Sequence, residues 1–189
     1  MSNILKKYIT PLFCCSITLI ALITWLLAGP SNTPPIAGQM KDFKINNRVI
    51  SAPRIPFHDA HGNKKVLSDF EGKVLLINFW ATWCAPCIHE LPSIARLHSK
   101  ENGQDFKVLP ISTDAGGAEG PLKFLKRINQ TNLPIYVDPK MALARAMGVT
   151  TLPTTILVDQ HGSIIGRLTG KADWDSPDAL ALIKHYQKN

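Results

Sequence analysis

The run Val74–Trp80 (VLLINFW) is followed within three residues by Trp83-Cys84-Ala85-Pro86-Cys87. No other stretch limits the fold as strongly. Seven nearly all-apolar residues read as a strand covered on both faces, because a half-wet strand would alternate apolar and polar. The residues after Cys84 change period. Ile88, Leu91, Ala95 and Leu97 or His98 fall near one stripe, which predicts a helix from 85 to about 99. Pro86 fits its first turn, where a missing N–H costs little. A buried strand that runs directly into a helix is the start of a parallel crossover.

The rest of the chain continues this alternation. Strands are expected at 55–58, 106–112, 135–137 and 154–159, with turns at His61-Gly62-Asn63 and Gln160-His161-Gly162-Ser163. Helices are expected at 122–128 and at 140–147, the second stopped by Gly148. After the second turn, 164–168 returns antiparallel. Asp175 or Ser176 then caps a last helix with Pro177 at its first position. The expected architecture is α/β, a mixed central sheet with helices on both faces.

The first forty residues read differently. Residues 11–28 (PLFCCSITLIALITWLLA) contain no charge. As a helix they span about 27 Å, close to the roughly 30 Å of bilayer hydrocarbon. Lys6 and Lys7 precede the run and no acidic residue occurs before Asp42, so the N-terminus is expected inside and the C-terminus outside. A cleaved signal peptide fits less well. Cleavage after Ala28 or Ala37 would put Leu26 or Pro35 where a small residue is wanted. Cys14 and Cys15 read as small apolar residues in lipid. The expected organisation is an anchor over 1–28, a Gly/Pro/Ser-rich linker over 29–40 and one domain over 41–189. The net charge of +7 comes from 21 basic and 14 acidic residues with no dense basic run, which makes no case for nucleic acid.

The chemistry is expected at the two cysteines. Spaced i, i+3 at a helix start, their sulfurs lie side by side. The unpaired N–H groups and partial positive charge there stabilise a thiolate. Cys84, at the very end, is the expected nucleophile, and Cys87, one turn in, the buried resolving thiol. A zinc site would need two more ligands at metal spacing, and none follow. A purely structural disulfide would close too small a loop to stabilise much. A copper-binding pair would want a Met or His cluster, and a peroxidase would want Thr where Ala81 stands. The six histidines are scattered and read as surface or turn residues, with His89 alone near the thiols.

The stretch NFWATWCAPC, followed by Glu90-Leu91-Pro92, resembles the membrane-anchored thioredoxin-like reductases of the TlpA, ResA and CcmG type. Leu152-Pro153-Thr154-Thr155 and the closing 170–177 (GKADWDSP) are most similar to the TlpA branch. The resemblance covers about 40–187. It implies a thioredoxin fold and a cis proline at Pro153 facing the cysteines, with the Leu152 backbone open to an extended substrate. It implies that Pro92 kinks the helix it lies in. Thioredoxin itself has a buried Asp where this chain has Asn78. Glu90, on the helical face of Cys87, is the candidate replacement proton carrier, its pKa raised by burial. Trp80 and Trp83 are expected to wall the site. Trp83, Pro86, Leu152 and Pro153 are the expected substrate contacts.

The function implied is thiol–disulfide exchange in the reducing direction, with no metal and no cofactor beyond the Cys84–Cys87 pair. The implied substrates are copper-site proteins of oxidase assembly or apocytochromes c. The implied electron donor is an integral membrane thiol carrier of the CcdA or DsbD sort. The implied location is the bacterial inner membrane, single-pass, with the catalytic domain facing the periplasm. A copper chaperone or redox-inert binding module, and an oxidase that inserts disulfides, are the alternatives.

Overall fold

A computed structural model describes residues 33–187 of the 189-residue chain. The expected anchor at 11–28 lies outside the described residues. Among those described, no helix is long and apolar enough to cross a membrane.

Eight strands form one sheet in the order β1-β8-β7-β4-β5-β6-β2-β3. They are β1 (Lys44–Ile45), β2 (Phe57–Asp59), β3 (Lys64–Lys65), β4 (Val74–Trp80), β5 (Phe106–Ser112), β6 (Tyr136–Val137), β7 (Thr154–Val158) and β8 (Ile164–Thr169). The helices are α1 (Ala85–Glu101), α2 (Glu119–Arg127), α3 (Ala142–Ala146) and α4 (Pro177–Gln187). β4, β5 and β6 pair in parallel, while β7 runs antiparallel to β4 and to β8. This is the mixed sheet that the strand–helix alternation predicts, in the thioredoxin fold that the resemblance implies.

β4 sits in the middle because every one of its residues is buried. Its side chains alternate between two cores. Leu76 and Trp80 join one cluster with Leu91, Ile94, Phe124 and Leu182. Leu75, Ile77 and Phe79 join the other with Leu109, Leu143 and Ile156. Asn78 shares the period of Leu76 and Trp80, so it points toward the layer that contains α1.

The two-residue strands β1 and β3 and a 3-10 turn at Leu67–Phe70 are additions to the expected elements, and they carry no apolar alternation to announce them. β1 lies against β8 at Gly166, where a Cβ would come within 2.4 Å of the Lys44 carbonyl oxygen. The end of the expected linker carries structure of its own. Gly38–Met40 form one 3-10 turn, and Met40 is fully buried. Asp178, in the first turn of α4, accepts a hydrogen bond from the Gln39 backbone N–H at 3.0 Å and ties this turn to the domain.

Candidate active site

β4 delivers the chain to the site, and a loop clasp holds it there. Asp114 accepts hydrogen bonds from the Thr82 backbone N–H at 3.0 Å and from the Thr82 hydroxyl at 2.7 Å. The Ser112 hydroxyl, at the end of β5, also donates to Asp114 at 2.7 Å. Two neighbouring strand ends are thereby locked together just before Cys84. Cys84 is the N-cap of α1, and Cys84 and Cys87 are joined as a disulfide. The Cys87 backbone N–H points at the Cys84 sulfur at 3.3 Å, so one of the unpaired helix N–H groups faces this sulfur. Cys84 is 5% exposed and Cys87 1%. Both belong to one core cluster and the difference is small, but Cys84 stands at the helix end between exposed Trp83 and exposed Ala85 and Pro86. Pro92 lies inside α1, which runs through it as one element.

Glu90 is one turn beyond Cys87 and only 2% exposed. Every partner it has is a donor. Its Oε1 accepts from Trp174 Nε1 at 2.5 Å and from the Ala172 backbone N–H at 3.1 Å. Its Oε2 accepts from Asn78 Nδ2 at 2.9 Å, and Asn78 also donates to Thr155 Oγ1. Burial raises the carboxyl from its ordinary range to about 7, against the lowering effect of these three hydrogen bonds. A cleft of about 410 Å³, with His89, Ser93 and Lys171 in its wall, reaches Glu90 from the side. The buried acid therefore adjoins a route to solvent.

The segment that grips Glu90 is itself stapled to α1. Arg96 donates from Nε to Asp175 at 2.7 Å and from a terminal nitrogen at 2.8 Å. Ser93 Oγ accepts from the Trp174 backbone N–H at 3.1 Å. The Arg96 hydrogen bonds hold the Asp175 carboxyl down at about 2. A depressed carboxyl adds stability above its ordinary pKa and loses it as pH falls toward the folded value. Arg96→Ala is therefore expected to cost about 1 kcal/mol at neutral pH, the scale of a well-aligned, partly exposed pair. Urea titrations should show this cost shrinking as pH is taken from 4 toward 2. A cost that stays constant over that range would assign it to lost packing of the Arg96 stem.

Pro153 faces the same sheet end. β7 pairs with β4 through Asn78 opposite Thr155 and Phe79 opposite Thr154, which sets Pro153 beside Trp80 where β4 ends. The Leu152–Pro153 peptide bond is cis. Pro153 is buried, and Leu152 is partly buried against both cores. Trp83 is 73% exposed at the rim, while Trp80 is fully buried against Phe124 and is core.

The structure thus gathers Cys84, Cys87 and Glu90 on the first turns of α1, with Trp83 and Pro86 on the rim and Leu152 and Pro153 at the adjoining strand end. Sequence reasoning missed Asp114 as the clasp and Trp174 as the donor to Glu90. A buried indole needs an acceptor, and that need was the one signal for Trp174. His98 is half-buried rather than a surface residue, and burial lowers its pKa.

A cysteine pair at a helix start, beneath a cis-proline loop on a thioredoxin fold, defines a thiol-disulfide oxidoreductase. The chain belongs to the Redoxin family, whose model matches residues 36–183. It is 32% identical over 120 residues to the thiol-disulfide oxidoreductase ResA of Bacillus thuringiensis subsp. konkukian, covering 64% of this chain and 68% of that protein. The crystal structure of a Chlorobium tepidum protein, described as a thiol:disulfide interchange protein DsbE, aligns with a TM-score of 0.66 at 26% identity. That alignment covers 76% of this chain and 99% of that one. A Bacteroides vulgatus structure, described as a thiol-disulfide oxidoreductase, aligns with a TM-score of 0.62 at 32% identity, over 75% of this chain and 99% of that one.

Proposed function

We propose that this oxidoreductase works in the reducing direction on disulfides of exported proteins. The observation that carries the reading is the Cys84–Cys87 pair capping α1, with a buried carboxyl one turn below. In the reduced enzyme, the Cys84 thiolate attacks a substrate disulfide. A mixed disulfide forms, and one substrate sulfur leaves as a thiolate that takes up a proton. Cys87 gives its proton to Glu90, and its thiolate attacks the Cys84 sulfur. The second substrate sulfur leaves as a thiolate that takes up a proton from solvent, and the enzyme keeps the disulfide. Two electrons pass from the cysteine pair to the substrate, so the dithiol is the only redox group the cycle needs. Glu90, near neutrality and beside a solvent cleft, passes its proton on to water.

The compartment follows from the chain ahead of the domain. The uncharged stretch at 11–28 behind Lys6 and Lys7 is read as an anchor in the bacterial inner membrane, with the domain in the periplasm. That space is oxidising, so electrons must arrive from a membrane thiol carrier of the CcdA or DsbD sort. The substrates are cysteines of copper-site proteins or of apocytochromes c, and Trp83, Pro86, Leu152 and Pro153 contact them. An oxidase of the DsbA kind carries a helical domain between its cysteines and its cis proline. Among the described residues, this interval holds only β5, α2, β6 and α3 after the end of α1.

Equilibration with a glutathione buffer, read by thiol alkylation, tests the direction. The expected potential is closer to the roughly −270 mV of thioredoxin than to the roughly −120 mV of an oxidant such as DsbA. A value near the second would reverse the reading.

A further inference from the structure

Next to Trp83, the residue before Cys84, lies a groove of about 420 Å³ between Trp83 and α2. Thr82 and Trp83 form one wall, and Gly120, Lys123, Phe124 and Arg127 form the other. Its composition is unlike that of a spent surface. Trp83 is 73% exposed, a large aromatic face left open to solvent beside the reacting cysteine. The Arg127 guanidinium lies over the Phe124 ring at 4.9 Å from its centroid and has no carboxylate partner among the described residues. Among the described residues Lys123 pairs only with Glu119, an exposed i, i+4 contact that solvent weakens. The Asp114 carboxylate is directed at Thr82 and Ser112 and forms no ion pair with Lys123 or Arg127 among the described residues. Lys126 adds a third positive charge to α2, against Glu119 alone.

We infer that this groove is the docking surface for the substrate chain next to its reacting cysteine, and that it selects an acidic segment. The inference rests on the proposed reductase activity and names the substrate class for that site. With the substrate sulfur on Cys84, the neighbouring residues cross the Trp83 face, and their carboxylates meet Lys123 and Arg127. The aromatic floor gives contact area, and the cations set the preference and speed the encounter.

The test uses the full chain in detergent, fully reduced, with three probes. Two are peptide disulfides of equal length whose cysteine is flanked by Asp and Glu or by Lys. The third is hydroxyethyl disulfide, which is neutral and too small to fill the groove. At low ionic strength the acidic peptide is expected to react about 10-fold faster than the basic one, with the gap narrowing in high salt. Lys123→Glu combined with Arg127→Gln should erase the preference, with rates normalised to hydroxyethyl disulfide. The milder pair Lys123→Gln and Arg127→Gln keeps a long stem over Phe124 and should reduce the preference in the same sense. Equal rates for the two peptides in the unaltered protein, or a preference that survives both double variants, would overturn the inference. Failure of the unaltered protein to reduce hydroxyethyl disulfide would instead count against the reductase reading itself.

Discussion

Cys87→Ser is expected to accumulate as a mixed disulfide with its substrate, bonded through Cys84. Cys84→Ser is expected to trap nothing and to lose at least about 10³-fold in exchange rate, as enzymes do when a nucleophile is removed. The asymmetry follows from position on α1. Cys84 is the N-cap, its sulfur accepts from the Cys87 backbone N–H, and the positive end of the helix dipole lies against it. A thiolate there is stabilised and stands between exposed Trp83 and exposed Ala85 and Pro86. Cys87 lies one turn further in and is 1% exposed against 5% for Cys84, so Cys84 is the sulfur nearer to the surface. With Cys87 replaced, the first step proceeds and the second has no attacker. Intact-mass measurement of the oxidised adducts, with and without reductant, distinguishes the two variants. A substrate-sized adduct on Cys84→Ser would exchange the two roles.

The two long central strands are legible because their burial leaves a run that only a strand in mid-sheet explains. Val74–Trp80 and Phe106–Ser112 occur at their expected bounds. The short edge strands are not, since Lys44–Ile45 and Lys64–Lys65 owe their strand geometry to the neighbour they pair with rather than to their own side chains. The site divides in the same way. Cys84, Cys87 and Glu90 are spaced along one helix, so periodicity alone puts them on one face. The donors that surround Glu90 arrive from β4 and from a loop more than eighty residues downstream, a contact that no local pattern encodes. Asp114 reaches Thr82 across 32 residues in the same manner. The segment 38–40 reads as linker because Gly-Gln-Met carries no period. Its structure comes from Asp178, at the far end of the chain.

Asn78 marks where sequence and structure inform each other. An Asp at this position would set a second carboxylate against Glu90 Oε2, at the 2.9 Å where Asn78 now donates. The amide avoids that repulsion, and it has a further property. With its donor toward Glu90 it supports a carboxylate. Turned over, it offers Oδ1, which has no partner among the described residues, to a protonated carboxyl. Thr155 Oγ1 serves either orientation, because a hydroxyl both donates and accepts. The pair thus accommodates both protonation states of Glu90 without moving the backbone.

Glu90→Gln is therefore expected to fold and to remove a large pH dependence. The oxidised protein isolates the effect, because its disulfide cysteines do not titrate. Glu90 has a folded pKa of about 7 against an ordinary value of 4.5. Below 4.5 the carboxyl is protonated in both folded and unfolded chains, and its full contribution to stability is present. Between 4.5 and 7 the unfolded chain releases the proton first, so stability falls as pH rises. Above 7 the loss is complete and amounts to about 3 kcal/mol, at about 1.4 kcal/mol per pH unit. The substituted amide keeps the side-chain shape and the acceptor for Ala172 and Trp174, and a turned Asn78 accepts from its NH₂ group. The difference in urea-unfolding free energy between the two proteins should therefore change by about 3 kcal/mol between pH 4 and pH 8, in favour of the variant at high pH. Taking the difference cancels Asp175 and the histidines, which both proteins share. In the reduced enzyme the same substitution should remove a step near pH 7 from the rate at which Cys87 resolves the mixed disulfide, since the proton of its thiol then has no nearby carboxylate. Parallel stability curves from pH 4 to pH 8 would show that the acid beneath the cysteines is solvated, and its part in the proton path would fall with them.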